Sequence, residues 1–365
     1  MPDLGEREWL PVLDSAVMGE HTGDERTEGR AGEPGTGLPP LPETDPSPPA
    51  HDEAPLPEGY TVRRPARDDF DEVVALLVAA DLALVGDTDW SPMELGYHWR
   101  RPRFSLERDA WVVEAETGGI VAYAWSYNDE PEGQPTGYFG LHPEHRDAAL
   151  ARHLLALIER RAGEQLASRT WGEPAVGAWF LEEDDLKRAL YESAGYTQVR
   201  VFERMVVAAT DVRELDETPV GVELRPMRRP GDEHAVHDCV EEAFADHFRY
   251  APLPFDEFWA PFDDTPAEDQ IWLVACDGPE IVGVALGLSL ERYGYVDLLA
   301  VRRPWRGRHI GLALLVATLV RLRDLGHERL TLGVDATNPT GAAHLYRRAG
   351  MSVRQRVLYY ERPVP

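Results

Sequence analysis

The chain repeats one long series of strands and helices twice, and this duplication limits the possible folds more than any other feature. Each copy opens on a short alternating strand, at Tyr60 in the first and at Val222 in the second. Each closes on a helix followed by glycine, Gly195 in Leu-Tyr-Glu-Ser-Ala-Gly and Gly350 in Leu-Tyr-Arg-Arg-Ala-Gly. A glycine there can take the left-handed conformation that ends a helix. Because the offset is about 155 to 160 residues, the repeat is a duplicated domain and not a solenoid.

Both copies also share the order of elements between these ends. A helix comes first, then two apolar strands joined by a glycine-containing turn, then a third strand, a polar loop and a long helix. The sequence therefore predicts two α/β (α+β) domains in tandem. In the first and second copies, the helices are predicted at 70–80 and 148–161, and at 234–244 and 311–324; the strand pairs are predicted at 110–115 with 120–125, and at 271–276 with 281–286.

The first 55 residues differ from both copies in composition. They are rich in proline and glycine and hold thirteen acidic residues against three arginines, without hydrophobic periodicity. Such a segment buries too little apolar surface to fold, so we expect a disordered acidic arm, either a solvated tail or a docking arm for a basic partner. The predicted divisions are the arm at 1–55, a first domain at 56–208, a linker at 209–219 and a second domain at 220–365.

The charge balance excludes several classes of partner. The 37 basic and 65 acidic side chains give a formal net charge of −28, which disfavours nucleic acids and anionic membrane surfaces. We expect no membrane span, because no apolar stretch reaches roughly 18 residues. Cys239 and Cys276 stand far apart without metal-ligand spacing. The sequence therefore predicts no metal site and a reducing, cytoplasmic location.

One segment carries the strongest functional signal. The buried strand at 296–301 runs into a basic turn and then directly into a helix, with Arg-Gly-Arg-His-Ile-Gly at 306–311. The first N–H groups of a helix have no partners within it, and with the helix dipole they bind anions such as a pyrophosphate. A strand–turn–helix unit without a ligand is the alternative interpretation.

At these residues the chain resembles the GNAT superfamily of acetyl-CoA-dependent N-acetyltransferases, whose cofactor motif is Gln/Arg-x-x-Gly-x-Gly/Ala. The segment 306–311 fits except at His309, which replaces the first glycine, so its backbone conformation is in question; a surface position and a phosphate or acceptor contact are both open for its side chain. The resemblance implies domains with a mixed, mostly antiparallel twisted sheet flanked by helices, a splayed strand at 299–301 and acetyl-CoA as co-substrate. It assigns cofactor binding to Leu299, Ala300, Val301, Arg306, Gly307, Arg308, His309, Ile310, Gly311, Leu312 and Asn338.

The same resemblance implies two catalytic residues. In the family a tyrosine at the position of Tyr346 often protonates the leaving thiolate, so Tyr346 is the candidate general acid; packing of its helix onto the sheet is the alternative. The family's usual glutamate on the preceding strand is replaced by Tyr295. Asp297, two residues further on and therefore expected on the same strand face, is the candidate base that draws the amine proton through a water. A structural or substrate-orienting carboxylate is the alternative.

The first copy lacks the corresponding signals. Aligned without a gap, the segment 306–311 becomes Arg-Asp-Ala-Ala-Leu-Ala at 146–151, so both glycines are missing and Asp147 would face the pyrophosphate. Two negative groups in contact disfavour binding. We therefore expect one working cofactor site, in the second domain, and a degenerate first domain that serves as a scaffold or as a lid over the acceptor.

The acceptor is predicted to be the amine of a small molecule. The segment 241–269 holds nine acids, seven aromatic residues and one arginine. A cleft of this composition would favour a cationic amine, whereas amphipathic helices with solvated acids give the same pattern. The tandem layout also resembles the actinobacterial mycothiol synthases, but Tyr295 favours a paralogue acting on another amine. A non-catalytic acyl-CoA-binding sensor or interaction protein is the alternative function, and both a monomer and a homodimer stay open.

Overall fold

The structure, a computed structural model, describes residues 54–364 apart from 102, 129–133, 168–173, 216–218, 246–251, 264–265 and 337–341. All but the last two residues of the predicted acidic arm, and also Asn338, lie outside the described residues.

The two halves fold into the same series of elements, which confirms the predicted fold class; only a four-residue helix, α3, is extra in the first half. The first half contains β1 (Tyr60–Arg63), α1 (Phe70–Val85), α2 (Pro92–Arg100), α3 (Leu106–Asp109), β2 (Ala110–Ala115), β3 (Ile120–Tyr127), β4 (Thr136–Leu141), α4 (Ala148–Leu166), β5 (Ala175–Leu181), α5 (Asp185–Ser193) and β6 (Thr197–Ala208). The second contains β7 (Glu223–Pro226), α6 (Glu233–Phe244), α7 (Phe255–Asp263), β8 (Gln270–Asp277), β9 (Glu280–Ser289), β10 (Gly294–Val301), α8 (Ile310–Asp324), β11 (Arg329–Asp335), α9 (Ala342–Arg348) and β12 (Ser352–Pro363).

The strands form a single sheet in the order β1-β2-β3-β4-β5-β12-β6-β11-β10-β9-β8-β7. Two neighbouring pairs, β4 with β5 and β10 with β11, are parallel, and the other pairs are antiparallel. The sheet is therefore mixed and mostly antiparallel, as predicted. Strands β1 to β5 run inward from one edge and their counterparts β7 to β11 run inward from the other, with β12 and β6 in the middle. This symmetry reflects the duplication.

The two halves exchange their last strands. β12, from the second half, lies between β5 and β6 of the first, with Val357 opposite Leu181 and Pro363 opposite Ala175. β6, from the first half, pairs in turn with β11 of the second along its length. Backbone hydrogen bonds therefore join the halves through the middle of the sheet.

Helices cover both faces of the sheet. In the first half α4 and α5 pack on one face and α1 and α2 on the other. In the second half α8 and α9 pack on one face, and α6 and α7 on the other. The residues of β10 divide between these faces, because Tyr295 and Ala300 belong to the core under α6 and α7, while Val296 faces α8. This strand is thus the place where both cores of the second half meet.

Candidate active site

The parallel strands β10 and β11 separate towards their carboxyl ends. They pair only where Gly294–Val296 face Leu330–Leu332. β9, on the other side, stays paired with β10 as far as Val301. Between Leu298 and Val301 the edge of β10 that faces β11 therefore has no strand partner, and a wedge opens there. The splayed strand that the family resemblance implied at 299–301 is therefore present, and backbone N–H groups along such an edge can bind a ligand.

The turn after β10 leads into the amino end of α8. The first hydrogen bond of this helix runs from the Ala313 N–H to the His309 carbonyl at 3.0 Å, and no side chain caps the helix end. The N–H groups of Ile310, Gly311 and Leu312 are therefore left over at the helix end. The side chains of Ile310 and Leu312 are buried, so only the backbone of these two residues can meet a ligand. An open helix end of this kind fits an anionic group.

His309 takes the backbone conformation of the glycine that it replaces. Its φ is +63°, a region that glycine adopts freely and histidine more often than most other residues. Gly307, two residues earlier, also has a positive φ, of +76°. The turn therefore keeps the glycine-type geometry, and the side chains of His309 and Arg308 are both exposed.

Side chains fasten this turn to its surroundings. The Arg306 guanidinium donates to the carbonyls of Val301 and Ala243, at 3.1 and 3.0 Å. Arg302 donates to Glu242 at 2.6 Å, and the indole N–H of Trp305 donates to Asp277 at 3.1 Å. Arg306, predicted as a cofactor ligand, thus holds the turn against β10 and α6.

Gly311 allows α8 and α9 to approach each other closely. A Cβ atom at this position would lie 3.1 Å from Cδ1 of Leu345 and 3.6 Å from Val301. A larger residue at 311 would therefore push Leu345 and α9 away from α8. α9 carries Tyr346 one residue beyond Leu345, so the packing at Gly311 also fixes the position of the candidate acid.

Tyr346 lies half-buried near the wedge, beside the buried Tyr295 of β10. Burial, and then the neighbouring phenol of Tyr295, raise the pKa of Tyr346 to about 12. Tyr346 is therefore protonated at neutral pH and able to donate. Tyr295, where the family usually has glutamate, contributes a phenol and not a carboxylate.

Asp297 is the extra residue of a β-bulge in β10. Val296 lies opposite Gly287 and Leu298 opposite Leu286, so the pairing with β9 skips Asp297. Bulges bend a strand and redirect its side chains. The alternation of β10 shifts by one residue here, because Tyr295 and Leu298 contact the same core. Strand alternation therefore does not place the Asp297 side chain on the face of Tyr295, as the two-residue spacing predicted. The sequence showed no sign of the bulge.

The first half reaches over the part of the second half that precedes this bulge. Met93 and Tyr97 of α2 pack against the core that contains Tyr293 and Tyr295. The loop before α2 is held by ion pairs and hydrogen bonds to the exchanged strands. Asp89 accepts from Arg354 at 3.1 Å and from Gln355 at 3.2 Å, and it pairs with the buried Arg204 at 3.1 Å; Asp87 pairs with Arg329 and Arg354. Sequence reasoning missed these residues, because more than 100 positions separate the loop from its partners.

The equivalent wedge in the first half is filled by the protein's own groups. Asp147 caps α4 and accepts from the N–H groups of Ala149 and Leu150 at 2.8 and 3.0 Å. A carboxylate thus occupies the helix end that is open in α8. Between β4 and α5, the Lys187 ammonium lies 4.4 Å from the ring centroid of Tyr138, and a cavity of only about 10 Å³ remains. The Asp184 carboxylate pairs with the Arg146 guanidinium at 2.7 Å and with the Lys187 ammonium at 3.8 Å, and these contacts keep Lys187 in the wedge.

Three of the five aromatic residues that the structure describes in the segment 241–269 are buried, while Phe255 and Trp259 border an open pocket of about 320 Å³ together with Glu233, His234 and Asp256. Phe258, Trp259 and Phe262 are buried in the core beneath α7. Asp256 and Glu257, beside them, are exposed. The helix α7 therefore matches an amphipathic helix with exposed acids, whereas Glu241 accepts from the Leu253 N–H and Glu242 pairs with Arg302. Asp246, Phe248, Arg249, Tyr250 and Asp264 lie outside the described residues.

The described residues offer neither a metal cluster nor a membrane span. They contain no group of three or more histidine, cysteine, aspartate or glutamate side chains placed to hold a metal ion. Cys239 and Cys276 are buried, free thiols. None of the helices in the described ranges is both long and apolar enough to cross a membrane.

Comparisons by sequence and by structure both find acetyltransferases that are similar to this chain. The model of the acetyltransferase (GNAT) family matches residues 235–351, which include the wedge, the turn and α8. A mycothiol acetyltransferase of Streptomyces bingchenggensis is 27% identical over 80% of this chain and 95% of the relative. A GCN5-related N-acetyltransferase from Sphaerobacter thermophilus has a TM-score of 0.75 at 29% identity, covering 85% of this chain and 97% of the other. A tandem GNAT protein from the clavulanic acid biosynthesis pathway shares the fold, with a TM-score of 0.66 at 16% identity, over 84% of this chain and 99% of the other.

Proposed function

Because the second half of this chain is an N-acetyltransferase domain of the GNAT family, we propose that the protein transfers an acetyl group from acetyl-CoA to the primary amine of a small molecule, by direct attack of the amine on the thioester. One observation supports this most strongly: the wedge between β10 and β11 leads directly to the open amino end of α8. We also propose a cytoplasmic location, in keeping with the two free thiols.

The residues present fit acetyl-CoA. The unpartnered edge of β10 at Leu299–Val301 offers N–H donors for the pantetheine arm and the thioester oxygen. The turn at 306–309 and the first amides of α8 would hold the pyrophosphate, with Arg308 exposed beside them. When bound, the co-substrate supplies the activated acetyl group.

We assign the proton transfers to two residues of the second half. Tyr346 would donate the proton that the departing thiolate needs, since its phenol is protonated at neutral pH and lies on α9, whose position the packing at Gly311 fixes. Asp297, at the bulge, would take a proton from the attacking nitrogen through a water. The alternative, that Asp297 orients the substrate or stabilises the strand, predicts normal pH dependence in Asp297→Asn.

The identity of the acceptor amine is proposed from the relatives and from Tyr295. Relatives at 26–28% identity carry the name mycothiol acetyltransferase. We propose a paralogue that acetylates another amine, because Tyr295 stands where those enzymes are expected to have a glutamate. Desacetylated mycothiol precursor is therefore an informative member of any substrate panel.

Tyr346→Phe tests the proposed reaction. Formation of CoA and of the acetylated product would be followed by chromatography with a panel of primary amines: spermidine, tyramine, glucosamine, cysteine methyl ester and the desacetylated precursor of mycothiol. Loss of the general acid should lower kcat by about 10²-fold or more, while the Kd of acetyl-CoA stays unchanged.

The duplicated position provides a matched control. Tyr191 occupies the same place in the first half, is 1% exposed, and its hydroxyl has no hydrogen-bond partner among the described residues. Tyr191→Phe should leave turnover unchanged. A non-catalytic acyl-CoA sensor would bind acetyl-CoA but release no thiol with any amine, in the wild type or in either variant.

A further inference from the structure

Glu94 lies at the junction between the first half and the active site of the second. It is in the first turn of α2, which begins after Ser91, whose hydroxyl accepts from the Glu94 N–H at 3.2 Å. Its neighbours on the helix, Met93 and Tyr97, pack against the core that contains Tyr293 and Tyr295. The helix cap and this packing therefore direct the start of α2 towards β10.

The carboxyl group of Glu94 is left without a partner in this junction. It is half-buried, and it forms no hydrogen bond or ion pair with the residues that the structure describes. The nearby Asp89, in contrast, contacts Arg204, Arg354 and Gln355. The charged and titratable groups that influence the pKa of Glu94, or are influenced by it, come from four places: the loop before α2, the residue after α2, β6, and the residue before β10. They are Asp89, Arg101, Arg204 and Tyr293.

These groups connect Glu94 with the candidate acid. The Arg204 guanidinium, 3% exposed, lies 5.7 Å from the ring centroid of Tyr295. Tyr295 contributes to the raised pKa of Tyr346, and both Glu94 and Tyr295 contribute to the raised pKa of Tyr293. Packing of α2 onto the core of Tyr293 and Tyr295 thus places Glu94 beside the residues that precede the bulge, and Tyr295 in turn acts electrostatically on Tyr346.

The surroundings of Glu94 bring the pKa of its carboxyl close to neutral pH. Burial, followed by the negative charge of Asp89, raises its pKa to about 7, against the opposing effect of Arg204 and Arg101. A group with a pKa near the working pH both accepts a proton readily and releases it again.

We propose that Glu94 of the first half accepts the first proton of the acceptor ammonium, so that the active site of the second half includes a carboxylate from the first. This proposal rests on the proposed acetyl transfer. An ammonium must lose two protons to become an amide: the first passes to Glu94 and frees the lone pair. After the C–N bond forms, the second passes through water to Asp297, the C–S bond breaks, and Tyr346 protonates the thiolate. One proton is released to solvent overall, from Glu94, and Tyr346 regains its proton from the second one.

Glu94→Gln tests this assignment in the full-length protein. For the amine of the panel that the wild type acetylates fastest, kcat/KM at pH 7 should fall by about 10²-fold or more. The acid limb of the pH profile, with an apparent pKa near 7, should disappear, and the Kd of acetyl-CoA should not change. Glu94→Asp should restore part of the rate.

The controls separate failure of this proposal from failure of the proposed function. Glu107→Gln removes an exposed carboxylate of the first half and should have no effect. If Glu94→Gln keeps the wild-type rate and pH profile, Glu94 is not the proton acceptor, although acetyl transfer stands. If the wild type acetylates none of the amines, the proposed function fails, and the role of Glu94 fails with it.

Thermal unfolding gives a readout that needs no acceptor. Because folding raises the pKa of Glu94 from its ordinary 4.5 to about 7, the wild type loses stability as pH rises across this window. The Glu94→Gln variant, which is uncharged at this position, lacks this loss. Its Tm should therefore match the wild type near pH 4.5 and exceed it above pH 7. A Tm difference that is independent of pH would overturn the proposed environment of Glu94.

Discussion

At the scale of single residues, backbone conformation explains what residue type alone could not. The motif at 306–311 identified the turn, but His309 in place of glycine left its geometry open. The positive φ of His309 shows that the surrounding turn imposes the glycine conformation on a histidine. Such a conformation costs a non-glycine residue about 1–2 kcal/mol.

His309→Gly should relieve this strain. Glycine loses more entropy on folding, by about 0.5–1 kcal/mol, so the free energy of unfolding should rise by no more than about 1 kcal/mol. The Kd of acetyl-CoA should be unchanged, because the backbone N–H groups remain. Denaturant unfolding and calorimetric titration measure the two quantities. A tenfold weaker affinity would instead show that the histidine side chain contacts the ligand.

At the scale of elements, the hydrophobic pattern predicted the four long helices and both strand pairs, but not α2, β6 or β12. The predicted helix at 70–80 extends to Val85, and ends where Gly86 takes a φ of +70°. The bulge at Asp297 left no trace in the sequence, since the residues around it are ordinary strand formers. The same unit, strand–turn–helix, is open in α8 and closed in α4, because Asp147 supplies a carboxylate to the helix end.

Asp147→Ala tests this difference between the helix ends. Loss of the cap should lower the free energy of unfolding by about 1 kcal/mol, as for other N-cap aspartates. It should not create a second site for acetyl-CoA, since Lys187 and Asp184 still fill the wedge beside β4. Titration of the variant with acetyl-CoA at high concentration provides the check. A second bound equivalent would show that the cap alone prevents binding.

At the scale of the whole molecule, the exchange of last strands could not be predicted from the sequence. The predicted elements end with the helix before Gly350, and for a strand that follows it both halves offer equivalent neighbours. In the structure β12 pairs with β5 and β6, and the Asp87–Asp89 loop is bound to Arg204, Arg329 and Arg354. The predicted division at 209–219 therefore separates the halves in sequence but not in the sheet.

This exchange predicts that the halves unfold together. The full chain should give one calorimetric transition, with equal calorimetric and van't Hoff enthalpies. A fragment of residues 220–365 should not fold alone, because β12 would lose both neighbours and β11 would lose β6. Two resolved transitions, or a cooperatively folded fragment, would contradict the prediction.

The central claim is that this protein has one working acetyl-CoA site, at the wedge and helix end of the second half. Calorimetric titration of the full chain with acetyl-CoA tests it most directly, beside Gly311→Asp and the milder Gly311→Ala. Thermal melts would show that each variant is folded, and acetyl-CoA at about 100 times its Kd should stabilise the wild type by about 2.7 kcal/mol. We predict one equivalent per chain, lost in Gly311→Asp because a carboxylate then lies at the helix end. Two equivalents, or none, would contradict the claim.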